Sequence, residues 1–258
     1  MQKTAVTITV TTLVLGIFGA FLRWLQLMNA FDADGFPVRG AGTTVVFLIY
    51  CILAVAALCV LSVLWLGRYD CDKGAQTALQ CANAVPFLLG WVLCVAAAAA
   101  SCALMFSAGT SHFPLLQRLF GAFGIVAALA TPWLFGKKGG SGAGAMGRAA
   151  AVVVTLFDCF WLMFSYKSNA VDPITWHFAV EVLAIAATTV ALYYVTTFFY
   201  GVGKATRTLI ALQLGAFLSV TALFEQRGTA LNVLFGVAAA LQLLLEFLLI
   251  SNLREKRD

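Results

Sequence analysis

The chain has 258 residues and a formal net charge of +5; 62% of its residues are hydrophobic and only 10% are Asp, Glu, Lys or Arg. A soluble domain carries about 25% charged residues, so this chain cannot cover a water-facing surface of its size. Soluble globular, disordered and disulfide-rich secreted classes are excluded, and an all-α integral membrane protein with several spans remains.

A helix that crosses ~30 Å of hydrocarbon needs about 20 apolar residues. In chain order the apolar runs predict eight spans, at 5–27, 44–66, 86–107, 115–135, 149–166, 176–200, 208–224 and 229–250. They are far longer than the ~10-residue alternating strands of a membrane barrel. The first run is long and lacks a clean small-x-small cleavage site, so it is expected to stay as a span. Trp24, Trp65, Trp91, Trp133, Trp161 and Trp176 lie toward span ends, where the amphipathic indole favours the headgroup level.

The connections are short. Those at 28–43 and 67–85 are the longest, and neither can bury a core. Residues 1–258 therefore read as a single transmembrane domain, a bundle of about eight helices. Phe31-Asp32-Ala33-Asp34-Gly35 begins like a calcium loop but lacks the closing Glu of that series, and it reads as a turn. Gly142, Gly144 and Gly147 match G-x-G-x-x-G, yet a membrane helix precedes them where the nucleotide motif needs a strand. That stretch reads as a flexible basic linker.

Basic residues set the orientation. Lys3, Arg68, Lys73, Lys137, Lys138, Arg148, Lys204, Arg207, Arg254, Lys256 and Arg257 fall on one side, and Arg23, Arg39, Arg118, Lys167 and Arg227 on the other. Both termini are expected in the cytoplasm. The positive charge describes topology, and no nucleic-acid partner follows from it.

Seven cysteines contain no C-x-x-C pair, and there are two histidines, so no metal and no cofactor is expected. Five cysteines lie in spans as small apolar residues. Cys71 and Cys81 lie in a connection on the side expected to be reducing.

Charges inside hydrocarbon are costly and face partners or a cavity. Asp158 falls near the midplane of the fifth span. Arg23, Arg118, His177, Glu181 and Glu225 fall in the outer half or at the outer mouth, and Asn232 opens the last span there. These six charged or titratable groups suggest either an outward-facing polar cavity or structural pairing of Arg23 or Arg118 with Asp158 or Glu181. Glu246 reads as a snorkelling or interfacial group. Ala211, Gly215 and Ser219, at four-residue spacing, and the pair Gly236 and Ala240 mark close helix contacts.

Arg23 with Phe31-Asp32-Ala33-Asp34-Gly35, Phe157 to Phe160-Trp161 and Tyr166, Tyr193-Tyr194, and Arg207 resemble stretches of an uncharacterised group of polytopic membrane proteins of clostridial-type bacteria. The resemblance covers spans 1 and 5–7. It implies a multi-pass protein of a bacterial-type plasma membrane and no particular activity.

Three functions are open at this point. The first is a solute- or ion-handling protein, a transporter in the broad sense, whose partners are lipid and a small solute or ion. The second is a non-catalytic subunit or scaffold that meets a membrane-protein partner through helix interfaces. An intramembrane enzyme is the weakest, because G-x-S-x-G, H-E-x-x-H and paired-aspartate patterns are all missing.

Overall fold

A computed structural model describes residues 2–32, 36, 38, 40–66, 69–70, 75–81, 84–110, 113–137, 144–170, 178–225 and 228–255. Eight of its helices are long and apolar enough to cross a membrane. They are α1 (Gln2–Asn29), α2 (Gly42–Leu66), α4 (Ala84–Phe106), α5 (Pro114–Ala130), α6 (Ala145–Asn169), α7 (Ala179–Phe199), α8 (Ala205–Thr221) and α9 (Thr229–Ser251). The one-turn helix α3 (Ala75–Ala78) lies outside the spans. Each span lies within a few residues of its expected place.

Local chemistry explains the ends. Pro114 opens α5, where a missing N–H costs nothing. Three-residue or four-residue 3₁₀ turns extend three spans, at Ser107–Thr110, Thr131–Leu134 and Ala222–Phe224. After α7, Gly201 takes φ 72°, the left-handed conformation that glycine adopts freely at a helix C-terminus.

α8 and α9 are mostly buried and form the centre; α2 is the least buried span. α8 packs most extensively on α7, α9 and α1, while α4 packs on α5 and α9. Val45, Ile49, Ile52, Leu53, Val60 and Leu64 of α2 all point outward. Such an apolar rim fits a bilayer and would be insoluble in water.

Two large apolar clusters fill the interior. One joins Ala5 and Ile8 of α1, Ala78 and Leu79, Phe198, Leu209, Leu248 and Leu253. It brings both chain ends to the same end of the bundle. Two short ladders lie there too: β1 (Tyr69–Asp70) pairs antiparallel with β4 (Arg254–Glu255), and β2 (Gln80–Cys81) pairs parallel with β3 (Gly136–Lys137). Asn252 Nδ2 donates to the Ala78 carbonyl at 3.1 Å, holding the end of α9 against α3.

The second cluster is aromatic, around Phe120, Phe157, Trp161, Phe164 and Phe235. Phe120 stacks on Phe164 with centroids 4.4 Å apart, and Trp161 meets Phe235 at 4.7 Å. Trp161 is thus a core residue at 2% exposure, and its expected headgroup position is corrected. Trp24, Trp91 and Trp133 are exposed on the rim. The Trp65 side chain and Trp176 lie outside the described residues.

Candidate functional site: buried polar groups within the bundle

Among the described residues, three assemblies hold most of the buried charged and carboxamide groups within the spans. The first joins α1, α2 and the end of the α8 span. Arg23 Nη2 lies 3.1 Å from Glu225 Oε1, and its Nε donates to the same oxygen at 3.2 Å. Arg23 Nη1 donates to Gln26 Oε1 at 2.8 Å, and Gln26 Nε2 donates to Thr44 Oγ1 at 3.3 Å. The guanidinium also sits 5.9 Å from the Phe47 ring centroid. Arg23 thus pairs with Glu225, and not with the Asp158 or Glu181 expected as its partner.

The second assembly surrounds Asp158, which sits midway along α6 and is 3% exposed. It lines a cavity of about 50 Å³ together with Trp161 from α6, Thr188 from α7, Gln242 from α9 and Gly124 and Ala128 from α5. A space of that size holds a few water molecules. Three polar atoms of its lining residues are buried without a hydrogen-bond partner: Asp158 Oδ2, Trp161 Nε1 and Gln242 Oε1. Most of the remaining wall is aliphatic or aromatic.

One side of this wall is held by hydrogen bonds. Gln242 Nε2 donates to Thr188 Oγ1 at 2.9 Å, and Thr188 Oγ1 lies 3.2 Å from Ser219 Oγ on α8. Gly215 leaves the space that the Gln242 carboxamide occupies. The small-residue face Ala211, Gly215 and Ser219 thus packs inside the bundle, against α7 and α9.

The third assembly contains Glu246, which is fully buried. Its Oε1 accepts from Gln213 Nε2 at 3.1 Å and lies 3.2 Å from Thr12 Oγ1. Gln213 Oε1 accepts from Ser62 Oγ at 2.5 Å. Four spans meet here. The expectation of a snorkelling Glu246 is corrected, because α1 and α8 cover the route to the interface. A signal was present in the sequence: Gln242 precedes Glu246 by one helical turn, on the same face.

The other expected site residues stand apart. Glu181, at the start of α7, is buried and accepts from Ser165 Oγ at 2.5 Å. Arg118 is exposed on α5. His177 lies outside the described residues, as do Asp34, Cys71 and Gly142. The cavity is therefore at mid-height, and of the six expected residues Asp158 lines it. The mouth charges Arg23 and Glu225 neutralise each other instead.

Among the described residues no three His, Cys, Asp or Glu converge as a metal site. Outside the spans, burial pushes the Cys81 thiol above its ordinary range. No family model, curated protein or solved structure matches this chain.

Proposed function

We propose that this chain is a solute- or ion-handling membrane protein whose binding site is the mid-height cavity of Asp158. The observation that carries the reading is the unpartnered carboxyl oxygen of Asp158, a residue that lines one small, otherwise mostly apolar space. Buried polar atoms are nearly always bonded, so unpartnered ones ask for a reason. Here a carboxylate oxygen and an indole N–H belong to residues lining the same cavity, while the unpartnered Gln242 oxygen is seated against Gly215. A buried acceptor able to carry negative charge suits a small cation or a solute that donates hydrogen bonds. Midplane sites between packed spans are where transporters hold their ions and solutes.

The setting proposed for it is a bacterial-type plasma membrane with both termini in the cytoplasm. The clustering of basic residues at the end shared by the termini supports that orientation.

The test is thermal stabilisation of the full chain in nanodiscs by lithium, sodium, potassium, ammonium and methylammonium. A bound ion stabilises by RT ln(1 + [L]/Kd). One or more of these is expected to raise the wild-type melting temperature and to leave Asp158→Asn unmoved. No shift with any of them, or an equal shift in Asp158→Asn, overturns the reading.

A further inference from the structure

Glu246 is a second carboxyl sealed inside the bundle, and the cavity does not use it. Among the described residues, donors aim at Oε1 alone. Gln213 Nε2 is 3.1 Å away, and Thr12 Oγ1 is 3.2 Å away, its single proton shared with the Ile8 carbonyl at 3.2 Å. Oε2 is buried without a hydrogen-bond partner. This is the pattern of a neutral carboxyl, with a carbonyl oxygen that accepts and a hydroxyl that carries the proton. An ionised group would bury bare charge on Oε2. A metal ion fits poorly, because Gln213 turns its N–H₂ toward the carboxyl and its oxygen toward Ser62.

Charged side chains on the elements packed around Glu246 lie elsewhere. On α1, Lys3 is exposed and Arg23 pairs with Glu225 near the opposite end of the span. On α8, Arg207 is exposed, and on α7, Glu181 bonds Ser165. α2 and α4 contain no Asp, Glu, Lys or Arg; their titratable groups are Tyr50 and the thiols Cys51, Cys59, Cys94 and Cys102. Tyr193 is exposed on α7, and Tyr194 is half-buried between α7 and α8.

One polar residue stands between Glu246 and the cavity, and a bonded pair leads from Glu246 toward one end of the bundle. Gln242 lies one turn earlier on the same face of α9, lines the Asp158 cavity and bonds Thr188. On the other side, Gln213 leads to Ser62, about 6 Å from the end of α2.

We infer that Glu246 is a proton-binding site, exchanging its proton with the membrane face where α2 ends and α8 begins, in step with the state of the Asp158 cavity. The Oε2–H bond breaks, the proton passes to water at that face, and the carboxylate is held by the Gln213 N–H and the Thr12 O–H. Return of a proton reverses the step. The inference rests on the cavity reading only for what the proton is coupled to.

Infrared spectra of the full chain in nanodiscs, recorded across pH, test it through the C=O band of protonated carboxylic acids. Glu246→Gln should remove one component of that band at neutral pH. Thr12→Val removes a donor to the ionised form, so the same component should persist and its loss should move up by about one pH unit. A neutral-pH band unchanged in Glu246→Gln overturns the inference. Where that variant does not fold, an unmoved midpoint in Thr12→Val overturns it instead. Asp158→Asn should shift the Glu246 midpoint, and an unshifted midpoint overturns the coupling. A Glu246 component that behaves as expected, in a protein that no tested cation stabilises, upholds this site and removes the cavity reading alone.

Discussion

Arg23 and Glu225 stand 202 residues apart in the chain, and their side chains meet at 3.1 Å with 0% and 4% of their surfaces exposed. The pair ties the first span to the end of the α8 span, and through Gln26 and Thr44 to the start of α2. Removing one partner leaves a buried charge uncompensated, at a cost of about 3–5 kcal/mol. Arg23→Gln and Glu225→Gln should each lower the thermal midpoint sharply in detergent. Arg23→Met with Glu225→Leu removes both charges and should regain most of the loss. Single variants as stable as wild type would show that the pair carries no structural weight.

Asp158 should behave in the opposite way. Its Oδ2 has no partner, and most of its neighbours are apolar. Replacing an unsatisfied polar group by an apolar one of similar shape is neutral to stabilising. Asp158→Leu should gain about 1–3 kcal/mol in stability and lose all cation-dependent stabilisation. That opposition is the mark of a group kept for binding rather than folding. A large loss of stability would show Asp158 to be structural.

The lengths and ends of the spans are legible in the sequence, because hydrocarbon thickness sets the one and loop charge the other. Rotation of each helix about its axis is not. In a soluble helix an apolar stripe marks the buried face. Here lipid and core are equally apolar, so Val6, 51% exposed, and Ile8, 4% exposed, look alike in sequence. Asp158 was readable because a charge at mid-height has to face inward. Glu246 is only hinted at, by Gln242 one turn earlier, since it lies five residues from the end of α9 and only the packing of α1 and α8 closes its way out. Arg118 and Arg23 share a sequence setting near span ends, yet one is exposed and the other sealed.

Orientation can be checked without a substrate. The ladders β1–β4 and β2–β3 place 69–70, 80–81, 136–137 and 254–255 at one end of the bundle. In a cysteine-free background, a single cysteine at Ser141 should react with an impermeant maleimide only after the cells are opened. One at Asp34 should react in intact cells. The reverse pattern would invert the protein in the membrane.

Two glycines of α5 set its distance from α4. A Cβ at Gly121 would stand 2.6 Å from the Ser101 carbonyl oxygen and 2.9 Å from Met105 Cβ. One at Gly124 would stand 3.0 Å from Ser101 Cβ and 3.3 Å from the Phe157 ring. Backbone cannot swing aside as a long side chain can, so Gly121→Ala should cost about 1–3 kcal/mol. Gly42, with nothing within 4 Å of its added Cβ, is the control; Gly42→Ala should stay within about 0.5 kcal/mol. Equal melting temperatures for the two variants would mean that α4 and α5 separate without penalty.

Gly215 and Gln242 make the last case, because one exists to seat the other. A Cβ at Gly215 would fall on the Gln242 carboxamide and 3.3 Å from the Ala187 carbonyl oxygen. The carboxamide would have to leave, breaking its 2.9 Å bond to Thr188. Gly215→Ala should therefore destabilise by about 1–3 kcal/mol and weaken cation stabilisation at the Asp158 cavity. Gln242→Ala should cost a similar amount by removing the amide donor to Thr188, which keeps its contact with Ser219. The two losses act on one contact, so they should not add. In the double variant the new methyl group meets no carboxamide, and its stability should match Gln242→Ala alone. Strict additivity would show that the glycine and the glutamine contribute independently, and that Gly215 serves the packing of α7 on α8 instead.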